Sequence, residues 1–459
     1  MIKRLRIRAY FASAALLFAA AVLFPFLSPS AHGQASGSGH GRPEVKERLI
    51  PNHFPAEPSI APAFSIPVDP LGFTPPGGLY LGARHVMASL DFIGEDKLLF
   101  TFRVPGLLHR DTGNREDNER QIRAVVLDLP QGTVEAEQVW TVHDYDRYLW
   151  MLKDGHFLVR DRDELKEGDL SLNLKPFLKF PGPLEWIEVD PTQQYLVSNS
   201  REPEPAKPQI GDAGDSPSTA HAVDLDGEVT GRIPEIVVRI LRRDTGKVML
   251  LSRVREPVHL PINDVGYLDD LEGVRWQRIL NLSYFDGGSR VLGSVESQCE
   301  VRDDFVSTRE ILITGCEPNG GDKLAAMTTD GKVLWIDATP SVAIWPEVVM
   351  APNGRRIARE TLGVTHEITA YASLSQDDIK GQWVTVYDAA TGDMALETPA
   401  SPVLDAGGNV AISPSGRRVA VINAGGIQVF NLPEPPPLPV TVYDKPAAAG
   451  DKPVTVKDK

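Results

Sequence analysis

Few stretches of this chain hold residue types that could do chemistry. In "HDYD", His143 and Asp146 place an imidazole near a carboxylate at the start of a strand unit, a pair able to hold a cation. "NDVGYLDDLEG" (263–273) is the densest acidic loop, with Asp264, Asp269, Asp270 and Glu272. Hard cations take such oxygens, but the spacing does not follow an EF-hand loop. "SQDDIKGQ" (375–382) is a thinner version of the same. His366-Glu367 opens like a zinc-protease helix, yet no second histidine completes H-E-x-x-H. All four read as solvated turns, and no catalytic, metal or cofactor residue is expected. A serine hydrolase would need a G-x-S-x-G elbow and an α/β domain. "GGSRV" at Gly287 lacks the closing glycine, and the chain has no room for a second domain.

The two cysteines, Cys299 and Cys316, flank runs that read as two strands joined by a polar turn around Phe305–Arg309. Neighbouring antiparallel strands can bring such a pair within bonding distance, so a structural disulfide is expected. Neither cysteine belongs to a C-x-x-C and no histidine clusters with them, which argues against a metal or catalytic role.

The elements that would position any site follow from the ends inward. Residues 1–33 run basic (Lys3, Arg4, Arg6, Arg8), then apolar from Tyr10 to Phe24, then small residues before Gln34. That order is a secretory signal peptide, shorter in its apolar part than the ~20 residues of a spanning helix. The chain is expected to be secreted or periplasmic, with no membrane insertion after cleavage. Formal net charge is −15, and losing the signal removes four basic residues and no acidic ones. Such a surface repels nucleic acid, and no basic-aromatic cluster offsets it. Residues 34–76 form a Pro-rich arm, and 434–459 a disordered Pro-rich tail; frequent prolines remove the backbone donors that regular structure needs. The tail's "PPPLP" could serve as a polyproline ligand.

Between the ends lie runs such as "KLLFTFRV", "AVVLDL", "IVVRILRR", "EILITG" and "VTVYDA": short, β-branched or aromatic, and bounded by Gly, Pro, Asp or Asn. These are strands. Residues 201–232 break the pattern with a polar, Pro/Gly/Asp-rich stretch expected to be a disordered insertion. Two turn phrases recur. "APNGRRIA" carries Pro352 and Gly354, and "SPSGRRVA" carries Pro414 and Gly416. The second type holds Gly246 in "RRDTGKVML", Gly331 in "MTTDGKVLW" and Gly392 in "YDAATGDMALE". Each supplies the positive-φ position of a tight hairpin turn. Two alternating hairpins make four antiparallel strands, one propeller blade. Units then begin near 85, 142, 183, 255, 301, 346 and 403, a period of about 50 residues.

The expectation is an all-β fold: a β-propeller over 77–433, seven blades of four antiparallel strands, closed by N- and C-terminal strands. "GGLYLGARH" (77–85) is the candidate for the closing strand. The paired arginines of the repeated phrase are expected at the solvated edge.

On these phrases the chain resembles WD40-like propellers of bacterial exported proteins, whose turns read S-P-D-G-[KR]; here Asn353 and Ser415 replace the aspartate. "YDAATG" and "TTDGKVLW" are similar to the turns of quinoprotein-type repeats. That second resemblance implies a cofactor at the ring axis with calcium and adjacent cysteines. Cys299 and Cys316 are not adjacent, and Trp335 reads as an inter-blade filler. Two functions follow. One is a scaffold that binds a protein or a small ligand at a propeller face. The other is an enzyme in the axial funnel: a lyase, a lactonase-like hydrolase or a cofactor-dependent oxidoreductase. An enzyme demands convergent His, Asp, Glu or Arg side chains on innermost strands.

Overall fold

The computed structural model describes residues 45, 47–50, 53–75, 87–104, 119–143, 147–202, 221–223, 229–232, 235–272, 277–317, 321–339, 343–366, 375–404 and 407–437. The signal segment, the 77–85 stretch and residues 438–459 lie outside them.

The chain is a seven-bladed β-propeller. Blade 1 is Ser89–Gly94, Lys97–Arg103, Arg120–Asp128 and Thr133–Val142, paired in sequence order. Blade 2 is Leu149–Met151, Phe157–Asp161, Glu164–Gly168 and Lys175–Lys179. Blade 3 is Leu184–Val189, Tyr195–Glu202, Glu235–Arg242 and Val248–Val254. Blade 4 has three full strands, Gly266–Glu272, Gln277–Tyr284 and Ser289–Glu296. Its innermost strand is reduced to residues 260–263, held by an Ile262–Tyr267 bridge and by the Leu268 N–H bond to the Pro261 carbonyl (2.8 Å). Blade 5 is Arg302–Ser307, Glu310–Cys316, Asp322–Thr328 and Val333–Thr339. Blade 6 runs from Ala343–Ile344 and Val348–Met350 through Arg356–Val364 and Ile379–Asp388 to Met394–Ala400. Blade 7 is Val410–Ile412, Arg418–Asn423 and Gly426–Asn431.

Period-2 alternation builds the ring. In "KLLFTFR", Leu98, Phe100 and Phe102 face blade 7, while Leu99 faces blade 2. Every inter-blade gap holds one such apolar cluster, seven among the described residues. Both faces of each sheet are therefore buried, as the near-continuous apolar strands require. Trp335 fills the gap between blades 5 and 6. It stacks on Tyr387 with centroids 6.5 Å apart and donates its indole N–H to the Ala389 carbonyl at 2.6 Å.

Closure differs from the expected route. The outer strand of blade 7 is Phe64–Pro67, antiparallel to Gly426–Asn431, with Phe64 opposite Val429 and Pro67 opposite Gly426. The Pro-rich arm thus covers sheet edges. Upstream, Glu47–Leu49 adds a parallel strand to blade 5 (Glu47 opposite Ile336), and Phe54 meets Trp383 of blade 6 edge-on. Proline tolerates this role because an edge strand leaves one row of amides unpaired anyway. The 201–232 stretch is not wholly irregular: His221–Val223 and Val229–Arg232 pair as a hairpin, and residues 203–220 lie outside the described residues.

The repeated phrase forms the turn between the first two strands of blades 6 and 7. Gly354 and Gly416 hold φ of +70° and +72°. The two copies touch: the Asn353 side-chain amide donates to the Ser415 carbonyl at 2.7 Å. Of their arginines Arg417 is exposed as expected, Arg355 and Arg418 are half-buried, and Arg356 is not at a solvated edge. Arg356 is 1% exposed, donates to the Pro433 carbonyl (2.8 Å) and pairs with Asp388 (3.3 Å). Arg355 bonds the carbonyls of Pro435 and Pro436, and Arg417 pairs with Glu434. Prolines donate no N–H, so their carbonyls are natural acceptors for guanidinium groups, and residues 433–436 lie strapped to the ring.

Candidate functional site

Seven innermost strands converge on one axial channel of about 670 Å³. Its surface is about equally polar and apolar, with Leu149, Trp150, Ile187 and Phe305 among the apolar side chains. Against that background stand six carboxyl groups, Asp91, Glu185, Glu188, Asp190, Asp304 and Glu347, and three basic side chains, Arg147, His259 and Arg302. Apolar walls with few convergent polar groups are the usual form of a ligand site.

The wall made by blades 3 to 5 carries a triad. Glu188 ends the innermost strand of blade 3, His259 precedes that of blade 4, and Asp304 lies in that of blade 5. His259 Nδ1 stands 3.1 Å from Glu188 Oε2, and its Nε2 stands 3.2 Å from Asp304 Oδ1 and 2.8 Å from the Asp303 carbonyl. One ligand atom from each of the three lies within 4.8 Å of the others. Burial opposes charge on His259, but the carboxylates of Asp304 and Glu188 outweigh it and hold its pKa at about 11. Arg302 Nε approaches the other Asp304 oxygen, Oδ2, at 3.3 Å.

The opposite wall, from blades 6, 7 and 1, carries carboxyl groups held by backbone. Gly408 N–H donates to Glu347 Oε2 (2.9 Å) and Asn409 N–H to Glu360 Oε1 (2.8 Å). Gly407 and Gly408 hold φ of +84° and +101°, which aims successive amides at the two side chains. A Cβ on Gly407 would lie 2.7 Å from Glu347 Oε2 and 3.1 Å from Glu360 Oε2, so both oxygens face one point. Gln382 and the Leu404 carbonyl close the fully buried Glu360 from behind. Asp91 accepts from Ser89 Oγ at 2.6 Å. Burial raises Asp91 and Glu347, and burial together with the Glu347 charge raises Glu360 well above the usual range. Charge is disfavoured most at Glu360, the more enclosed of the two. Tyr148 donates to the Met87 carbonyl at 2.8 Å and lies 2.6 Å from Thr101 Oγ1, fixing the floor beside Asp91.

The stretches singled out in the sequence fall elsewhere. His143 Nδ1 bonds Asp161 (2.8 Å) between blades 1 and 2, and Asp146 lies outside the described residues. Asp264 pairs with Arg309 at 2.9 Å, Asp269 is exposed on a strand, and His366 stands 3.5 Å from Asp378. Glu367 lies outside the described residues. Cys299 and Cys316 form a disulfide with Cα atoms 5.5 Å apart. Pro352 lines the channel, while Pro414, Gly246, Gly331 and Gly392 sit in turns away from its lining; the three glycines hold positive φ. The triad and the carboxyl wall were missed. Part of their signal was an acid inside the first strand of a unit, as in "SLDFIG", "LEWIEV" and "RDDFVS"; Glu347 and Glu360 lie outside these strands.

No family model and no curated protein matches the chain. Its fold is similar to that of Pyrococcus horikoshii acylaminoacyl peptidase (10% identity, TM-score 0.44, covering 75% of this chain and 51% of that one). It therefore spans about half of that peptidase's length. It is also similar to TolB from Acinetobacter baumannii (11%, TM-score 0.36, 69% and 75%) and to Kuenenia stuttgartiensis hydrazine synthase (10%, TM-score 0.40, 76% and 96%). These are likenesses of fold alone.

Proposed function

We propose that this chain is an exported binding propeller that takes a small cationic ligand into its axial channel. One observation carries the reading: the lining of one cavity holds six residues with carboxyl groups, from blades 1, 3, 5 and 6, and only three basic ones, Asp190 being spent on the Thr192 and Tyr195 amides. Low-dielectric walls focus that surplus on whatever enters. Trp186 adds an aromatic ring that suits an organic cation, while the Trp150 ring already faces Arg147 and Arg160. The disulfide and the basic-then-apolar N-terminal sequence support export to an oxidising compartment. The acidic balance disfavours nucleic acid as partner. Among the described residues, no helix is long and apolar enough to cross a membrane.

The test is a melting-temperature shift in about 0.15 M salt, which screens nonspecific surface attraction. Agmatine is expected to raise the melting point, and malate is not. Equal shifts with both, or none with agmatine, overturn the reading.

The Glu347–Glu360 pair favours a second reading, catalysis in the same channel. A carboxyl of raised pKa behind a channel-facing carboxylate is an acid–base arrangement. A lactone and ester panel followed by proton release separates the two. Turnover lost in Glu347→Gln supports catalysis, and agmatine binding without turnover supports the binding reading.

A further inference from the structure

The geometry points to a divalent transition-metal site formed by Glu188, His259 and Asp304 on the channel wall; it rests on the reading of the channel as the binding site. The donor set is one imidazole and two carboxylates, drawn from three successive blades. An ion about 2.1 Å from each ligand in tetrahedral geometry sets them about 3.4 Å apart. The observed atoms all lie within 4.8 Å of one another, with Glu188 on the Nδ1 side of the ring and Asp304 on the Nε2 side, so Asp304 must swing toward Nδ1 to complete the set.

The surroundings suit coordination. A ligating histidine ordinarily fixes its ring by donating the other N–H to a backbone carbonyl. Here Nε2 stands 2.8 Å from the Asp303 carbonyl, leaving Nδ1 toward Glu188. The strand that supplies Asp304 therefore also orients the ring. Arg302 engages Asp304 Oδ2, leaving Oδ1 for an ion. Three protein ligands leave a coordination position on the channel side for a water or an incoming ligand. The imidazole selects ions such as Zn²⁺ or Mn²⁺ over Ca²⁺, which prefers an all-oxygen shell. Without a metal, the imidazolium proton is the cation that separates the two carboxylates. Metal binding at Nδ1 replaces the proton there and draws Asp304 Oδ1 away from Nε2, which keeps the Asp303 carbonyl.

The test is calorimetric titration of the chelator-stripped, folded protein with Zn²⁺, Mn²⁺ and Ca²⁺. One ion per chain is expected for Zn²⁺ and Mn²⁺, and no binding of Ca²⁺ at the same concentrations. His259→Ala is expected to lose binding, and Glu188→Gln and Asp304→Asn each to weaken it about tenfold or more. Asp244→Asn, in an exposed turn, is expected to bind as wild type. A cobalt-substituted sample reports imidazole coordination through its visible bands, independently of any activity. If His259→Ala fails to fold, the isosteric Asp304→Asn carries the test. No Zn²⁺ binding by folded wild type, or equal binding by Asp304→Asn, overturns the site. Agmatine binding with no metal binding removes this site and leaves the channel reading standing.

Discussion

The two walls of the axial channel solve the same problem in opposite ways. The wall of blades 3 to 5 brings carboxylates together around a cationic imidazole, with Glu188 and Asp304 flanking His259. The wall of blades 6, 7 and 1 brings Glu347 and Glu360 together with no cation between them, under backbone amides from a Gly-Gly turn. The first can exchange its proton for another cation. The second disfavours charge on its carboxyl groups: burial raises Glu347, and burial with the Glu347 charge raises Glu360. The difference teaches that inward acids on a propeller are not one feature: the neighbouring strand decides whether each is a ligand or an acid.

The largest expected effect breaks the amide-lined wall. Gly408→Ala forces a side chain to φ +101° and within 2.3 Å of the Ala88 carbonyl, at the seam between blades 7 and 1. It should cost about 3 kcal/mol or more by denaturant unfolding. A smaller loss would mean that the seam gives way easily.

Glu310 sharpens the comparison, because it is a buried carboxyl with neither amides nor a cation. It is 2% exposed, and among the described residues neither oxygen has a hydrogen-bond partner. Burial alone raises its pKa to about 7. The folded value lies above the unfolded one, so the unfolded state gives up its proton first as pH rises. Stability is then fully present below about pH 4 and lost progressively up to pH 7. Glu310→Gln should leave stability at pH 4 nearly unchanged and raise it at pH 8 by about 2–3 kcal/mol. Glu360→Gln should likewise remove a loss of stability at rising pH. An unchanged pH profile in both variants would contradict the raised pKa given to these groups.

Substitutions on the cation-centred wall should do less to the fold. Asp304→Asn weakens a part-exposed pair and should cost about 1 kcal/mol. Arg302→Ala, whose side chain is 61% exposed, should fall within about 0.5 kcal/mol. A cost near 3 kcal/mol for Asp304→Asn would assign the triad to holding the blades together.

The ring was legible because its signals are local. Positive-φ glycines such as Gly354 and Gly416 recur at blade turns, and apolar alternation marks strands that bury both faces. The closing strand was misplaced because Phe64–Pro67 lies in a proline-rich stretch whose composition hides an edge strand. Arg356 was misread because its acceptors, the carbonyls of the proline segment, have no sequence signature. The channel was not legible because its groups lie far apart in the chain. Glu188 and Asp304 meet at His259 only after the chain passes round blades 3 and 4, whereas Glu347 and Glu360 are neighbours across the first strands of blade 6, the Glu360 N–H donating to the Glu347 carbonyl (2.9 Å). A histidine in "PVHLPIND" looks like a loop residue until its strand is seen to line the axis.

The most direct test of the channel as binding site is calorimetric titration of agmatine into wild type, Val349→Trp and Glu347→Gln. Val349 lines the channel and packs against the apolar cluster between blades 6 and 7, so tryptophan there crowds the channel from blade 6, its fold being checked first by an unfolding curve, while the triad's residues are intact. One site per chain in wild type, lost on plugging and weakened about tenfold in Glu347→Gln, is the predicted result. Equal affinity in wild type and folded Val349→Trp would contradict it and place cation binding elsewhere on the surface.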